Sequence, residues 1–427
     1  MDNRPNTRRV NRERKPSPPQ PPRGAKQIVI PMTRPQYDEI WHDPRRIRAA
    51  VAEWARSAPE LFPAGFDRGY RLHGFGRPSR KLPGLKLRKI VTADGSSYWL
   101  RPSFIAGYMA GTVDELAYPM LLAAHGVPPW LLKLGFGRNE MFWHRLVERL
   151  GRSSLVGTTV RDAAGLPKHL AADEHHADWA GDKGDVATTV GGGCILGLAL
   201  ASKADDDHLR EAYGVFAAEA RDVEPEYAPE TVNVDGWAAT RNAFRALFPT
   251  ITVVLCFLHG FLKIRDRCRK ARDLHRRVWD VYRAATAEEF RRLMNELQQW
   301  CGTQIWTASV CEMLTKLWDK AESYVVAYDH PGCHRTSNAV DRPMNRLCRL
   351  MYAGRGLHGH QGSSELRLRG WALLQNFRPY APRGKSPRSF NSPAHRLNGK
   401  RYHEHWLHNL MVSTSLMGFR SPKPAIR

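Results

Sequence analysis

Residues 166–262 constrain most what this chain can fold into: three strand-like runs come in succession, then strands alternate with helices. The run 168–173 is a short strand candidate, 186–190 a second and the apolar 194–201 a third. Gly191-Gly192-Gly193, between the last two, is a hairpin signal. Helical apolar spacing follows over 204–220, then a strand over 231–235, a helix over 238–248, a β-branched strand over 251–256 and a helix over 258–270. Meandering strands followed by alternating strand and helix predict an α/β fold, with a mixed sheet carrying helices on its faces.

Two acids close strands in this segment. Asp173 ends the first, in Leu170-Ala171-Ala172-Asp173-Glu174, and Asp235 ends another, in Val232-Asn233-Val234-Asp235-Gly236. Carboxylates at the ends of neighbouring strands can converge at one sheet edge although 62 residues separate them. Converged carboxylates repel, so such a pair is stable mainly when a cation bridges it. Hard oxygen ligands of this kind suit Mg²⁺ or Mn²⁺. Singly, each Asp reads as a turn residue, and Asp235-Gly236 is itself a hairpin dipeptide. A helix follows Asp235, however, which removes the hairpin reading.

The acids sit in a basic chain. Its 427 residues carry 65 Lys and Arg against 42 Asp and Glu, a formal charge of +23. An excess of that size calls for a polyanionic partner, and nucleic acid is the usual one. The charge is uneven: residues 1–24 hold seven Lys/Arg, and residues 377–427 hold ten against the single acid Glu404. Both ends contain proline clusters and read as flexible basic arms. Seven scattered Cys without a CxxC pair argue against a disulfide framework and a zinc ribbon, and fit a reducing cytoplasm. No apolar run reaches membrane-spanning length, so no membrane partner is expected.

Elsewhere the pattern is largely helical. Residues 32–63 have helical spacing, and Lys89-Ile90-Val91 is a short strand candidate before Asp94-Gly95. Helical stretches over 113–125 and 130–136 lead through Gly137 to Asn139, a good N-cap for a helix over 140–150. Helix, glycine turn, helix is the spacing of a helix-turn-helix, and equally of an ordinary helical hairpin. Residues 271–330 are helical throughout, with Thr286 and Glu289 as a capping box and a second helix over 308–328. One more helix is expected over 338–352.

Strand-Asp, hairpin, helix, strand-Asp-Gly-Trp, helix, strand, Cys-x-x-His, helical insert and acid-bearing helix is a layout that resembles the DDE/D transposases of bacterial insertion sequences. The likeness is to those with an RNase H-like fold and an α-helical insertion, related to the Mutator-like group. It rests on Asp173-Glu174, on Val234-Asp235-Gly236-Trp237 through Phe248-Pro249, and on Cys256-Phe257-Leu258-His259, and it covers roughly 160–380. The family carries a third acid on the helix after the insert, usually Glu; here Asn338-Ala339-Val340-Asp341-Arg342 places Asp341 there. Asp341 also reads as a favourable first-turn acid on a helix capped by Asn338. Glu365, on the following helix, is the alternative third acid.

The resemblance implies that Asp173, Asp235 and Asp341 are catalytic and hold two ions, Mg²⁺ or Mn²⁺, with Cys256 and His259 supporting the site. It implies cleavage of double-stranded DNA at transposon ends and transfer of the freed 3′-OH into target DNA, by a homodimer or higher synaptic assembly in a bacterial, nucleoid-associated cytoplasm. The competing functions are a nuclease or resolvase on the same fold, and an inactive transposase-derived DNA-binding protein. His175 and His176 follow Asp173, and one of them would alternate onto its face of the strand. The expected organisation is a disordered basic tail (1–26), an N-terminal region (27–103), a helical, possible helix-turn-helix DNA-binding domain (104–165), the first part of the catalytic core (166–262), the helical insertion (263–334), the last part of the core (335–380) and a basic C-terminal tail (381–427).

Overall fold

The computed structural model describes residues 25–107, 110–179, 182–354, 356–381 and 390–420. The expected basic tail of 1–26 lies almost wholly outside them.

Residues 27–103, for which the sequence predicts helical spacing over 32–63 and one short strand, hold more strand than that. They form a four-stranded sheet with helices packed on it: β1 (Gln27–Ile30), α1 (Arg34–Ile40), α2 (Pro44–Ser57), β2 (Tyr70–Phe75), β3 (Arg88–Thr92) and β4 (Ser97–Pro102). Strand order is β1-β4-β3-β2, with β1 parallel to β4 and the other pairs antiparallel. Only the β3 segment carries a local strand signal; β1 has four residues and finds its partner about 70 residues downstream, a pairing that periodicity does not reveal. Ile28, Ile30, Tyr37, Trp41, Ile47, Val51, Ile90 and Leu100 make its core. Tyr37 Oη and Trp41 Nε1 both donate to the Lys86 carbonyl, which ties α1 to the loop before β3.

Four helices follow: α3 (Val113–Ala124), α4 (Pro129–Phe136), α5 (Glu140–Gly151) and α6 (Leu155–Thr159). Asn139 caps α5 as expected, its Oδ1 accepting from the Phe142 amide at 2.7 Å.

The second sheet contains β5 (His169–Trp179), β6 (Asp182–Gly191), β7 (Cys194–Ala201), β8 (Thr231–Val234) and β9 (Thr252–Leu255), with α7 (Asp206–Val223) and α8 (Ala238–Leu247) in the crossovers. Its order is β7-β6-β5-β8-β9. The first three strands pair antiparallel, and β8 and β9 run parallel to β5. The mixed α/β sheet is therefore as the strand-run pattern predicts. Asp173, however, does not end its strand; β5 continues six residues further to Trp179, paired with an equally long β6. The polar run Asp173-Glu174-His175-His176 conceals this extension: Glu174 and His175 meet helices on opposite faces, while His176 stays exposed and pairs with Asp185 of β6.

Beyond β9 come α9 (Phe257–Arg267), α10 (Arg272–Arg283), α11 (Ala287–Gly302), α12 (Ala308–Asp319) and α13 (Ala321–Val325), then α14 (Asn338–Gly354) and α15 (Gln361–Phe377). The single helix expected over 308–328 is broken at Lys320, whose backbone (φ −97°, ψ 4°) leaves the helical region. Thr286 accepts from the Glu289 amide at 3.1 Å, but Glu289 returns to the Ala285 amide at 2.7 Å rather than to Thr286.

Alternation along β5 assigns the two faces of this sheet. Leu170 and Ala172 enter a core with Phe216, Phe244, Phe257 and the helices α10–α13. Ala171 enters the opposite core, with Val340, Leu347, Trp371 and Leu374 of α14 and α15. Helix α5 lies along α15 so closely that a Cβ on Gly370 would stand 2.0 Å from the Val147 carbonyl oxygen. Trp143, Leu146 and Leu150 bury that face of α5.

The expected C-terminal basic arm is corrected for residues 390–420. They fold as α16 (Pro393–Asn398), α17 (Trp406–Ser413) and a final 3₁₀ turn. Leu407, Leu410, Met411 and Val412 are buried, and Ser415 Oγ bridges the Val29 amide of β1 and the Leu61 carbonyl of the 3₁₀ turn after α2. An apolar run this dense outweighs the scattered cations in deciding that the segment packs.

Candidate active site

Asp173 lies on the same face of β5 as Ala171, toward α14. Asp235 follows the last residue of β8, the strand adjoining β5. After it the chain must turn sharply into α8, and Gly236 supplies the left-handed backbone (φ 104°) that this turn needs. Asp235 Oδ1 accepts from the Trp237 amide at 2.8 Å, which fixes the carboxylate at the mouth of the turn.

The two acids interact. Burial, then the charge of Asp235, pushes the Asp173 carboxyl up to about 6, with a smaller contribution from Asp341. The His259 ring opposes the rise. Asp341, in the first turn of α14, thus belongs to the same electrostatic group as the strand acids. Glu365 does not: its Oε1 accepts from the Leu200 amide at 3.1 Å, at the far edge of the sheet.

Cys256 and His259 support this group from the start of α9. The Cys256 sulfur accepts from the Ser337 amide at 3.1 Å, and Ser337 Oγ donates to Asp341 Oδ2 at 2.9 Å. Burial alone would raise the Cys256 thiol, but hydrogen bonding to His259 and Ser337 brings it below its ordinary value. His259 is raised, first by the Cys256 contact and further by Asp235 and Asp173. Its Nδ1 is buried without a hydrogen-bond partner. Asn338, expected as the cap of the last helix, lies inside α14; the Ser337 carbonyl takes the Asp341 amide instead.

His175 shares the face of Asp173 and contacts Cys348 Sγ of α14 at 3.7 Å. His176 points the other way along the strand edge and pairs with Asp185.

The chain matches no protein-family model and no curated protein. Its own chemistry must speak for the site.

The carboxylate chemistry suits a divalent cation: the charges of Asp235 and Asp341 both act on Asp173, which burial holds above its ordinary value. The spacing is looser than a metal cage. Among the described residues, no three His, Cys, Asp or Glu side chains form a group that could hold a metal ion as they stand.

One residue escaped the sequence patterns. Glu174 faces away from the acids, and its Oε1 accepts from Tyr213 Oη of α7 at 2.6 Å and from Thr240 Oγ1 of α8. Burial pushes this carboxyl up to about 7. It pins β5 to the helix that follows Asp235 and so fixes one strand acid relative to the other. An acid doublet inside a strand is the signal, since alternation sends the two carboxylates to opposite faces.

Proposed function

We propose that this chain is a DNA transposase of the DDE/D type on an RNase H-like fold, with Asp173, Asp235 and Asp341 as its catalytic acids. The observation that carries this proposal is that the charges of Asp235 and Asp341 both act on the buried Asp173 carboxyl. One comes from the middle of the central strand β5, one from the end of the adjoining parallel strand β8, and one from a helix reached only after the long helical stretch α9–α13. The sheet order, three antiparallel strands followed by two parallel ones, supports the RNase H-like assignment.

A pair of Mg²⁺ or Mn²⁺ ions would supply Lewis acidity and an activated water or 3′-OH there. The residues of the chain prepare for that. Asp173 on β5 and Asp235 just past β8 would present hard oxygen donors, and Ser337 Oγ fixes one oxygen of Asp341 by a hydrogen bond. Carboxylates that repel one another accept a cation at lower electrostatic cost than isolated ones. His259 adds a positive-leaning imidazole beside the acids, suited to a phosphodiester oxygen. The charge of +23 fits double-stranded DNA as the partner, and pairing of two DNA ends calls for a homodimer or larger assembly.

The test is strand transfer. The full chain is incubated with Mg²⁺, a pre-cleaved duplex from the DNA flanking its own gene, and a supercoiled target plasmid. Joined products support transposition; nicking without joining indicates a nuclease or resolvase. A second proposal, an inactive transposase derivative that only binds DNA, is favoured by the loose spacing of the acids. It predicts binding with no Mg²⁺-dependent nicking at all.

A further inference from the structure

Lys320 sits at the break between α12 and α13, and its ammonium lies 3.8 Å from the position a Cβ would take on Gly236, the residue after Asp235. The helical stretch therefore delivers a cation to the edge of the acid group. Its neighbour Lys316 is spent on Glu312, whereas Lys320 has no carboxylate paired with it among the described residues. The charges of two more cations from other elements act on Lys320: Arg241, in the first turn of helix α8, and Lys263 of α9. Burial, then the charges of Lys263, Arg241 and Lys316, depresses the Lys320 ammonium, and Asp235 opposes them. Arg241 Nε is buried with no hydrogen-bond partner. A buried guanidinium N–H left in this way marks a missing acceptor.

Cations from three separate elements act on one another and, among the described residues, none has an ion pair with a carboxylate, which favours an anion beside them. A small free anion would feel the neighbouring acids. A polyanionic strand can place one charge at the cations while its next phosphodiester lies over the acids.

We propose that Lys320, Arg241 and Lys263 form a phosphate site beside Asp235 that holds the DNA backbone next to the reacting phosphodiester, so that the helical stretch supplies part of the substrate contact. This rests on DNA being the substrate, as proposed above. A lysine point charge and a guanidinium fork from separate helices suit backbone oxygens rather than base edges, so the contact carries no sequence preference.

The experiment measures binding of the full chain to duplex DNA, with Ca²⁺ in place of Mg²⁺, as a function of salt. The variants are Lys320→Gln, Arg241→Gln, Lys320→Arg and, as a control, Arg276→Gln, whose cation is already paired with Asp273. The expected result is a salt slope reduced by about one for each of Lys320→Gln and Arg241→Gln, retained in Lys320→Arg and in the control. Circular dichroism and melting temperature establish that the variants are folded. Unchanged slopes in both glutamine variants overturn the proposal, as does a loss confined to melting temperature, which marks simple charge balance with Asp235. Mg²⁺-dependent nicking separates the two levels of inference. Altered slopes with no nicking by the parent chain keep the phosphate site and remove the catalytic assignment. Normal nicking with unchanged slopes does the reverse. A parent chain that does not bind duplex DNA overturns both.

Discussion

Ser337 donates its hydroxyl to Asp341 across 2.9 Å, and the same residue is anchored through its amide to the Cys256 sulfur at 3.1 Å. The third acid is thereby held from the end of β9 as well as from its own helix. Ser337→Ala is expected to lower the turnover of Mg²⁺-dependent nicking by about tenfold or more, as loss of a supporting bond to a metal ligand does. DNA affinity should stay unchanged. Equal turnover in the variant would show that Asp341 needs no such support.

Asp173→Asn and Asp235→Asn should each abolish nicking and strand transfer while leaving DNA binding intact. Each keeps the shape of the side chain and removes the charge. A gel-based nicking assay beside a binding titration checks this; retained joining would take that residue out of the site.

Glu365 and Asp341 make opposite predictions. Glu365→Gln keeps an oxygen for the Leu200 amide, so nicking should persist at close to the parent rate. Asp341→Asn should reduce it to background. The reverse outcome would move the third acid to α15.

Without divalent cation, the acids make stability depend on pH with a definite sign. The Asp173 carboxyl is raised by burial and by Asp235 to about 6 in the folded chain, against about 3.9 when unfolded. The folded state therefore binds more protons between those values, and stability falls as pH rises through that window. Glu174, raised by burial to about 7, carries the fall on to neutral pH. Thermal melting from pH 4 to pH 7 in a chelator should show this decline. Asp173→Asn should raise the melting temperature at pH 7 by about 2–4 °C. Mg²⁺ should raise it for the parent chain and not for this variant.

The contact between α5 and α15 should tolerate no side chain. Gly370→Ala would put a Cβ 2.0 Å from the Val147 carbonyl oxygen and is expected to cost about 3 kcal/mol, read as a lowered urea midpoint. An unchanged midpoint would mean that the two helices separate freely.

Much of the architecture is written locally in the chain. The order of strands and helices from 168 to 352, the Gly192–Gly193 turn and the caps at Asn139 and Thr286 follow from periodicity and turn chemistry, which act within a few residues. The ends of β5 and the break at Lys320 do not. Asp235 could be singled out from the same local pattern, since strand, acid, turn and helix are neighbours in sequence there.

Tertiary structure alone decided the rest. The pairing of β1 with β4, the docking of 390–420 on the N-terminal sheet and the continuation of β5 beyond Asp173 depend on partners tens to hundreds of residues away, where no local pattern reports burial. The same holds inside the site. Sequence left Asp341 and Glu365 open, because both are acids on helices after the insert. Packing of α14 over the β5 face lets the Asp341 charge act on Asp173, while Glu365 is occupied by the Leu200 amide. Lys320 reaches Gly236 only because α12 breaks where it does. Side-chain type is a property of the chain, but electrostatic company is a property of the fold.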